Sequence, residues 1–132
     1  MDIKDIKFKA KRLNDGEWVK GDLVHSTSYI GICIYHPKNT FPDVPVVYKV
    51  DPNTVCMFTG LKDKNGTPIY ESDIVIYKDN NAERRGTITW DSKAASFCFG
   101  QDFLVHYPSE NMIVVGNKFD KENNLWKKKQ EK

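Results

Sequence analysis

Lysines at alternate positions near the start of the chain are the first residues with a recognisable chemistry. Lys7, Lys9 and Lys11 are separated by apolar residues, and Arg12 follows them directly. In a β-strand, side chains two residues apart project from the same face, so the three ammonium groups would form one basic ridge. Such a ridge suits the phosphates of a nucleic acid. The alternative, favoured by the neighbouring aspartates, is the solvent-exposed face of an edge strand, where lysines discourage sheet-to-sheet aggregation.

Arg84 and Arg85 form a second, smaller basic pair. They precede Gly86 in a stretch that is typical of a hairpin loop. The same two interpretations apply, a phosphate contact or a solvated loop. Together with Lys7, Lys9 and Lys11, these arginines are the candidate nucleic-acid-binding residues.

Carboxylates and histidines give only weak signs of catalysis. Glu71 and Asp73 would supply acid–base chemistry if a histidine joined them, and the chain has His25, His36 and His106. The sequence contains no phosphate-binding loop, no nucleophile elbow and no His-Glu-x-x-His motif, and its cysteines lack zinc-ligand spacing. We therefore predict no enzymatic activity, no catalytic residue, no metal site and no cofactor.

Trp126 is the aromatic residue most suggestive of a docking contact. It is isolated in a charged tail that ends in Lys127-Lys128-Lys129 and a few further polar residues. Because loops carry function more often than cores do, Glu71 and Asp73 join Trp126 as candidate partner-binding residues. For the segment around Glu71 and Asp73, however, a purely structural role is the favoured interpretation.

The composition excludes several classes of protein. The chain has 132 residues, 39% hydrophobic and 29% charged, and its 20 Lys and Arg against 18 Asp and Glu leave a net charge of +2. This balance is too neutral for a histone-like binder, and the apolar content is too high for a disordered chain. No apolar run approaches the roughly 18 residues of a membrane span. Residues 1–5 lack the apolar core of a signal peptide. We expect a cytoplasmic protein without a membrane segment, and its three scattered cysteines to be buried thiols.

The elements that must position these residues are short strands. Apolar and polar residues alternate over residues 5–25 on either side of Asn14-Asp15-Gly16, which predicts a β-hairpin. Further strand candidates are 29–35, 46–50, 55–58, 73–77, 86–90, 96–99 and 112–115, each bounded by turn residues. Only residues 120–132 could form a helix. The sequence therefore predicts an all-β fold of antiparallel strands, closed as a barrel or roll.

Residues 51–75 closely resemble the signature of the YopX family, small proteins encoded by phages and prophages of Gram-positive bacteria. The matching pieces are Asp51-Pro52-Asn53-Thr54-Val55, Phe58-Thr59-Gly60-Leu61-Lys62-Asp63-Lys64-Asn65-Gly66 and Ile69-Tyr70-Glu71-Ser72-Asp73-Ile74-Val75. The opening Ile6–Ala10 and the closing Val114–Asn117 agree with the family as well. The family usually has glycine where Ser72 stands, an aromatic residue at Lys11 and Gly-Asn-Ile where this chain has Lys118. Ser72 weakens the idea of an obligatory glycine with positive φ at its position.

The resemblance implies a mainly β fold whose second half is an SH3-like barrel or roll. We predict one YopX-like unit over 1–132, with an N-terminal β lobe at 1–50 whose hairpin packs on a barrel lobe at 51–119, and a tail at 120–132. The signature itself predicts folding chemistry. Asp63 is expected to cap the turn at Asn65-Gly66, and Ile69, Ile74 and Ile76 to enter the core. Glu71-Ser72-Asp73 resembles the entry to the diverging turn of SH3-like barrels, where a short acidic side chain accepts free backbone N–H groups.

The resemblance implies no reaction, and the function is open between three hypotheses. The leading one is a non-enzymatic phage or prophage accessory protein that binds a protein partner or self-associates. The second is a nucleic-acid-binding small barrel that uses Lys7, Lys9, Lys11, Arg84 and Arg85. The third is an enzyme with a site around Glu71, Asp73 and a histidine.

Overall fold

The computed structural model describes residues 2–34 and 45–120, and the regular structure in these ranges is β-strands and short 3-10 turns. The strands are β1 Phe8–Lys11, β2 Trp18–His25, β3 Ile30–Ile34, β4 Val46–Lys49, β5 Cys56–Lys62, β6 Pro68–Tyr70, β7 Asp73–Lys78, β8 Glu83–Asp91, β9 Ser96–Phe99, β10 Asp102–Phe103 and β11 Met112–Asn117. The mainly β prediction is confirmed. Alternation identified nine of these strands, whereas the very short β6 and β10 were missed. The predicted helix at 120–132 and Trp126 fall outside the described residues.

The chain divides into two compact units, Met1–Phe58 and Thr59–Lys132. This differs from the lobes at 1–50 and 51–119, and those lobes, like the SH3-like barrel, stay predictions. Within the described ranges, no helix is long and apolar enough to cross a membrane.

The first unit contains β1 to β4 and the first residues of β5, paired antiparallel in the order β4-β3-β2-β1-β5. β6, which follows β5 in the strand order, belongs to the second unit. The predicted hairpin is confirmed, since β1 pairs with β2 and Gly16 sits in the connecting turn with φ +71°. The edge-strand interpretation of β1 is wrong, because Phe8 and Lys9 also pair with Met57 and Cys56 on β5. That second partner is almost fifty residues away, so local alternation gave no sign of it.

One face of this sheet forms the core of the first unit. Its fully buried members are Ala10, Val19, Ile32 and Val50, and partly buried residues such as Phe8 and Tyr48 pack against them. Because Phe8 and Ala10 point to this side, the odd-numbered lysines around them must project from the opposite face.

The second unit contains an antiparallel sheet ordered β10-β9-β8-β7-β11. Its core consists of Ile69, Val75, Tyr77, Ile88, Phe99, Leu104 and Met112. The prediction that Ile74 and Ile76 enter the core is wrong, because both are only partly buried while Val75 and Tyr77 point inward. The buried position of Asp73, which is 1% exposed, accounts for which side chains of β7 point inward. Because side chains alternate between the two faces of a strand, Val75 and Tyr77 lie on the same side as Asp73.

Candidate nucleic-acid interface

Lysines gather on the face of the first unit's sheet that lies opposite its core. The strand register sets Lys9 directly across from Lys20, and Lys11 across from Trp18. Directly paired residues of antiparallel strands share a face, so β2 extends the row of lysines on β1. Lys49 is on the same side of the sheet. It pairs with Gly31 on β3, and Gly31 pairs with Val24 on β2. Val24 is an even number of residues from Lys20 on the same strand, so their side chains share a face. We call this surface the basic face, and it comprises Lys7, Lys9, Lys11, Trp18, Lys20, Asp22, Tyr29 and Lys49.

The basic face carries a strong excess of positive charge. Asp22 is the only acidic residue in strands β1 to β5. Lys9 and Lys20 occupy directly opposed positions on the paired strands β1 and β2. A surface with five lysines and one aspartate has a positive potential that attracts polyanions.

Aromatic rings lie among these lysines. The Nζ atoms of Lys9 and Lys11 are 4.8 Å and 5.5 Å from the centre of the Trp18 ring. Lys49 has its Nζ 5.4 Å from the centre of the Tyr29 ring. Lys7 lies 4.4 Å from the ring of Phe58, which is 3% exposed. Each contact is in the range of a cation–π interaction, so the rings hold the lysine side chains along the sheet.

Arg12 follows the lysines in sequence but does not belong to the basic face. Its guanidinium carbon lies 4.9 Å from the ring centre of Tyr48, on the opposite side of the sheet. Arg12 also forms an ion pair with Asp15 in the hairpin turn. The hydrogen bond from Arg12 lowers the pKa of the Asp15 carboxyl, with a further contribution from the backbone N–H of Glu17.

Arg84 and Arg85 belong to strand β8 of the second unit, so their assignment to a hairpin loop is wrong. As neighbours on a strand they project from opposite faces. Arg84 contacts the hydroxyl of Tyr107, and its Nη1 lies 3.3 Å from the Asp102 carboxylate. The Tyr107 hydroxyl donates to Asp102 over 2.5 Å. This bond lowers the pKa of Asp102 and raises that of Tyr107. Arg84 therefore belongs to a surface cluster with Tyr107 and Asp102 in the second unit.

Asp63 holds the signature turn together. Its Oδ1 accepts the backbone N–H groups of Asn65 and Thr67 at 2.8 Å and 2.9 Å, as predicted for a capping carboxylate. Its Oδ2 accepts the N–H of Val114 on β11 over 2.9 Å. Burial opposes ionisation of Asp63, but the three N–H donors outweigh it and lower the pKa of the carboxyl.

Asp73 and Asn117 form a second buried connection between signature residues. Asp73 accepts the Tyr70 N–H through Oδ2 and the side-chain amide of Asn117 through Oδ1. Ser72, the residue before Asp73, has φ +72°, a left-handed conformation that favours glycine. Its N–H donates to Ile88 and its C=O accepts from Lys118, so the neighbouring segments fix this conformation.

These contacts account for the most specific part of the sequence pattern. The model of the YopX protein family matches residues 7–125, most of the chain. The chain belongs to the YopX family. A comparison with curated proteins found no match. In this YopX family member, Asp63 and Asp73 of the signature bond to backbone and amide groups. Its glycines form turns, with φ +87° at Gly60 and +81° at Gly66.

The other predicted site residues are dispersed. Asp73 is buried, whereas Glu71 is only partly buried. His25 and His106 are exposed, one in each unit, while His36 and Trp126 lie outside the described ranges. Among the residues that the structure describes, no cluster of three His, Cys, Asp or Glu side chains could hold a metal ion.

Sequence reasoning missed five residues of the basic face, Trp18, Lys20, Asp22, Tyr29 and Lys49. A signal for two of them was present. Once Asn14-Asp15-Gly16 is taken as the hairpin turn, Lys11 falls opposite Trp18 and Lys9 opposite Lys20. No comparable signal existed for Lys49, because its place depends on the pairing of β3 with β4.

Proposed function

We propose that this YopX family member is a non-enzymatic nucleic-acid-binding protein and that the basic face is its contact surface. The observation that carries the proposal is the gathering of Lys7, Lys9, Lys11, Lys20 and Lys49 on one face of the sheet, with Asp22 as the single acid of these strands. Several ammonium groups on one face attract the phosphates of a polyanion. Binding would release counterions from the phosphates and would therefore weaken as salt is added.

The catalytic alternative has less support in the geometry. Asp73 and Asp63 use their carboxylate oxygens to fix the backbone in the second unit. A buried carboxylate bonded in this way serves stability rather than proton transfer. The enzyme hypothesis around Glu71 and Asp73 stays a prediction.

The proposal is tested by measuring the affinity of the purified chain for fluorescently labelled oligonucleotides over a series of salt concentrations. We expect the logarithm of the association constant to fall linearly with the logarithm of salt. The double variant Lys9→Glu/Lys11→Glu should bind at least tenfold more weakly and should reduce the salt slope by about 2, since each lysine–phosphate contact contributes about one unit.

A charge-matched control keeps this experiment specific. Lys93 is exposed in the turn between β8 and β9 of the second unit. Pairing it with Lys78, also exposed, gives Lys78→Glu/Lys93→Glu, with the same change in net charge. We expect less than a threefold loss of affinity from this control. No binding at low salt, or equal losses from both double variants, would refute the proposal.

The biological setting is part of the proposal. Family membership supports a phage or prophage accessory protein that acts in the cytoplasm of a Gram-positive host. Transcription of the gene together with its phage neighbours after induction would support this setting, and constitutive expression apart from any phage gene would count against it.

Self-association, or binding of a protein partner, is the second candidate function, and strand β11 favours it. Ile113 and Val115 are 39% and 47% exposed on this strand, which lies at the edge of its sheet. Backbone groups of β11 already bond to the signature turn, Val114 N–H to Asp63 and Met112 C=O to Lys64 N–H. A partner would therefore contact the exposed apolar side chains, which are typical of an interaction surface. Light scattering after size exclusion should then give a dimer that Ile113→Lys/Val115→Lys dissociates, and a monomer at all concentrations would rule out self-association.

A further inference from the structure

We propose that the nucleic acid bound by the basic face is single-stranded, with its bases stacked on Trp18 and Tyr29. This inference rests on the proposed function and adds the class of ligand to it. Three features support the inference: the aromatic rings among the lysines, the width of the sheet, and the spacing of the lysines along the first strand.

The rings and the lysines are arranged as pairs. Trp18 has the ammonium groups of Lys9 and Lys11 4.8 Å and 5.5 Å from its ring centre, and Tyr29 has that of Lys49 at 5.4 Å. A base stacked on either ring would therefore bring its own phosphate within reach of a lysine. Bases on aromatic rings with cations along the backbone are the general mode by which proteins bind single strands.

The bases of a duplex cannot stack on these rings. In a duplex the faces of the bases are covered by their neighbours, so Trp18 and Tyr29 would meet only sugar and phosphate. The rings gain stacking energy only from bases that are unstacked and turned outward.

The width of the sheet also argues against groove binding. The lysines of β1 lie inside their sheet, and the five strands in the order β4-β3-β2-β1-β5 alone, with four gaps of about 4.8 Å each, are about 19 Å wide. The major groove of a duplex is about 12 Å wide and admits a helix or a two-stranded ribbon. A five-stranded face cannot enter it, whereas a single strand can lie across such a face.

Charge repeats regularly along β1. Lys7, Lys9 and Lys11 follow one another at two-residue intervals, about 6.7 Å apart along an extended strand. A row of evenly spaced cations suits one sugar–phosphate backbone laid along it. The rings beside the row, Trp18 and Phe58 among them, hold these cations against the sheet.

The test compares labelled 20-nucleotide probes at one salt concentration: single-stranded DNA, single-stranded RNA and the DNA duplex of the same sequence. We expect at least tenfold tighter binding of a single strand than of the duplex. The two single-stranded probes distinguish DNA from RNA as the preferred form, and preference for either supports the inference.

Variants of the rings test the stacking itself. Trp18→Ala should weaken single-strand binding about 5- to 100-fold, the effect of losing one stacked base, and should change duplex binding less than twofold. Trp18→Phe keeps an aromatic plane and should retain most of the affinity. Because Trp18 is half-buried, thermal melting checks the fold of each variant, and Tyr29→Ala supplies the same test if Trp18→Ala does not fold.

The outcomes separate this inference from the proposed function. If the duplex binds as tightly as the single strands, the basic face binds nucleic acid but the single-strand inference is overturned. Single-strand binding that is unaffected by both Trp18→Ala and Tyr29→Ala also overturns it. If none of the three probes binds, the proposed function itself fails.

Discussion

The side-chain amide of Asn117 donates a hydrogen bond to Oδ1 of Asp73 over 2.9 Å. The two residues are 44 positions apart in sequence and are 2% and 1% exposed. Asp73 begins β7 and Asn117 ends β11, and the register of these strands pairs the two residues directly. A buried carboxylate without donors would be costly, so the Asn117 amide and the Tyr70 N–H, which donates to the other carboxylate oxygen, both stabilise Asp73 at this position.

Asn117→Asp should destabilise the protein more than any other change at this site. It replaces the donor with a second carboxylate, and two buried like charges would face each other. We expect a loss of about 3–5 kcal/mol in the free energy of unfolding at neutral pH, against a smaller loss for Asn117→Ala. Urea unfolding at neutral pH measures both losses, and equal losses from the two variants would contradict the role given to the amide.

Asp63→Asn should weaken both the signature turn and its bond to β11. An amide cannot accept from Asn65, Thr67 and Val114 in the way a carboxylate does, so at least one buried N–H loses its acceptor. We expect a loss of about 1–3 kcal/mol at neutral pH. Asp79→Asn is the matched control, because Asp79 also accepts two backbone N–H groups but is exposed and has no bond to a distant strand. Its effect should be clearly smaller.

Asp63 also predicts the direction of acid sensitivity. The pKa of its carboxyl is lower in the folded chain than the ordinary value near 4 of the unfolded chain. A group of this kind stabilises the fold fully above about pH 4, and its contribution is lost as the pH falls through the folded-state pKa. The melting temperature of the wild type should therefore fall more steeply below about pH 4 than that of Asp63→Asn. Parallel curves would contradict this account.

Ser72→Gly should stabilise the protein. Ser72 has φ +72°, a conformation in which glycine has no steric penalty, and the expected gain is up to about 1 kcal/mol. Ser72→Ala is the control, because it removes the hydroxyl but keeps a Cβ in the left-handed region. Calorimetric melting of both variants decides the point. A gain from alanine as large as that from glycine would mean that backbone strain is not the cause.

Local patterns were enough to predict nine of the eleven strands and the turns at Gly16 and Asn65-Gly66. The capping of Asn65 and Thr67 by Asp63 spans two and four residues, and the hairpin at Gly16 depends on its immediate neighbours. Both follow from residue preferences that act over a few positions. The identity of the core-facing residues on β7 did not follow, because apolar Ile74 and Ile76 alternate with residues that are apolar as well.

Contacts over long sequence separations were the limit of prediction. Asp63 reaches Val114 across 51 residues, and β1 becomes an interior strand only because Met57 pairs with Phe8. The same holds for the candidate site. The lysines of β1 were identified by their spacing, whereas Lys49 joins them through the pairing of two further strands. Strand order is a property of the whole sheet, and alternation within one strand does not encode it.

Lys20→Glu should affect stability and binding in opposite directions. Lys20 lies directly across from Lys9 on the basic face, so the substitution places a carboxylate opposite the Lys9 ammonium group, and opposite charges at directly paired positions attract. We expect a gain of about 0.2–1 kcal/mol in the free energy of unfolding together with weaker binding of nucleic acid. Lys20→Gln is the neutral control, with an intermediate effect on both quantities. Thermal melting and fluorescence anisotropy on the same samples measure the two effects. A variant that loses both stability and affinity would show that Lys20 serves the fold, whereas opposite changes mark a surface whose charges are kept for a polyanionic ligand at the expense of stability.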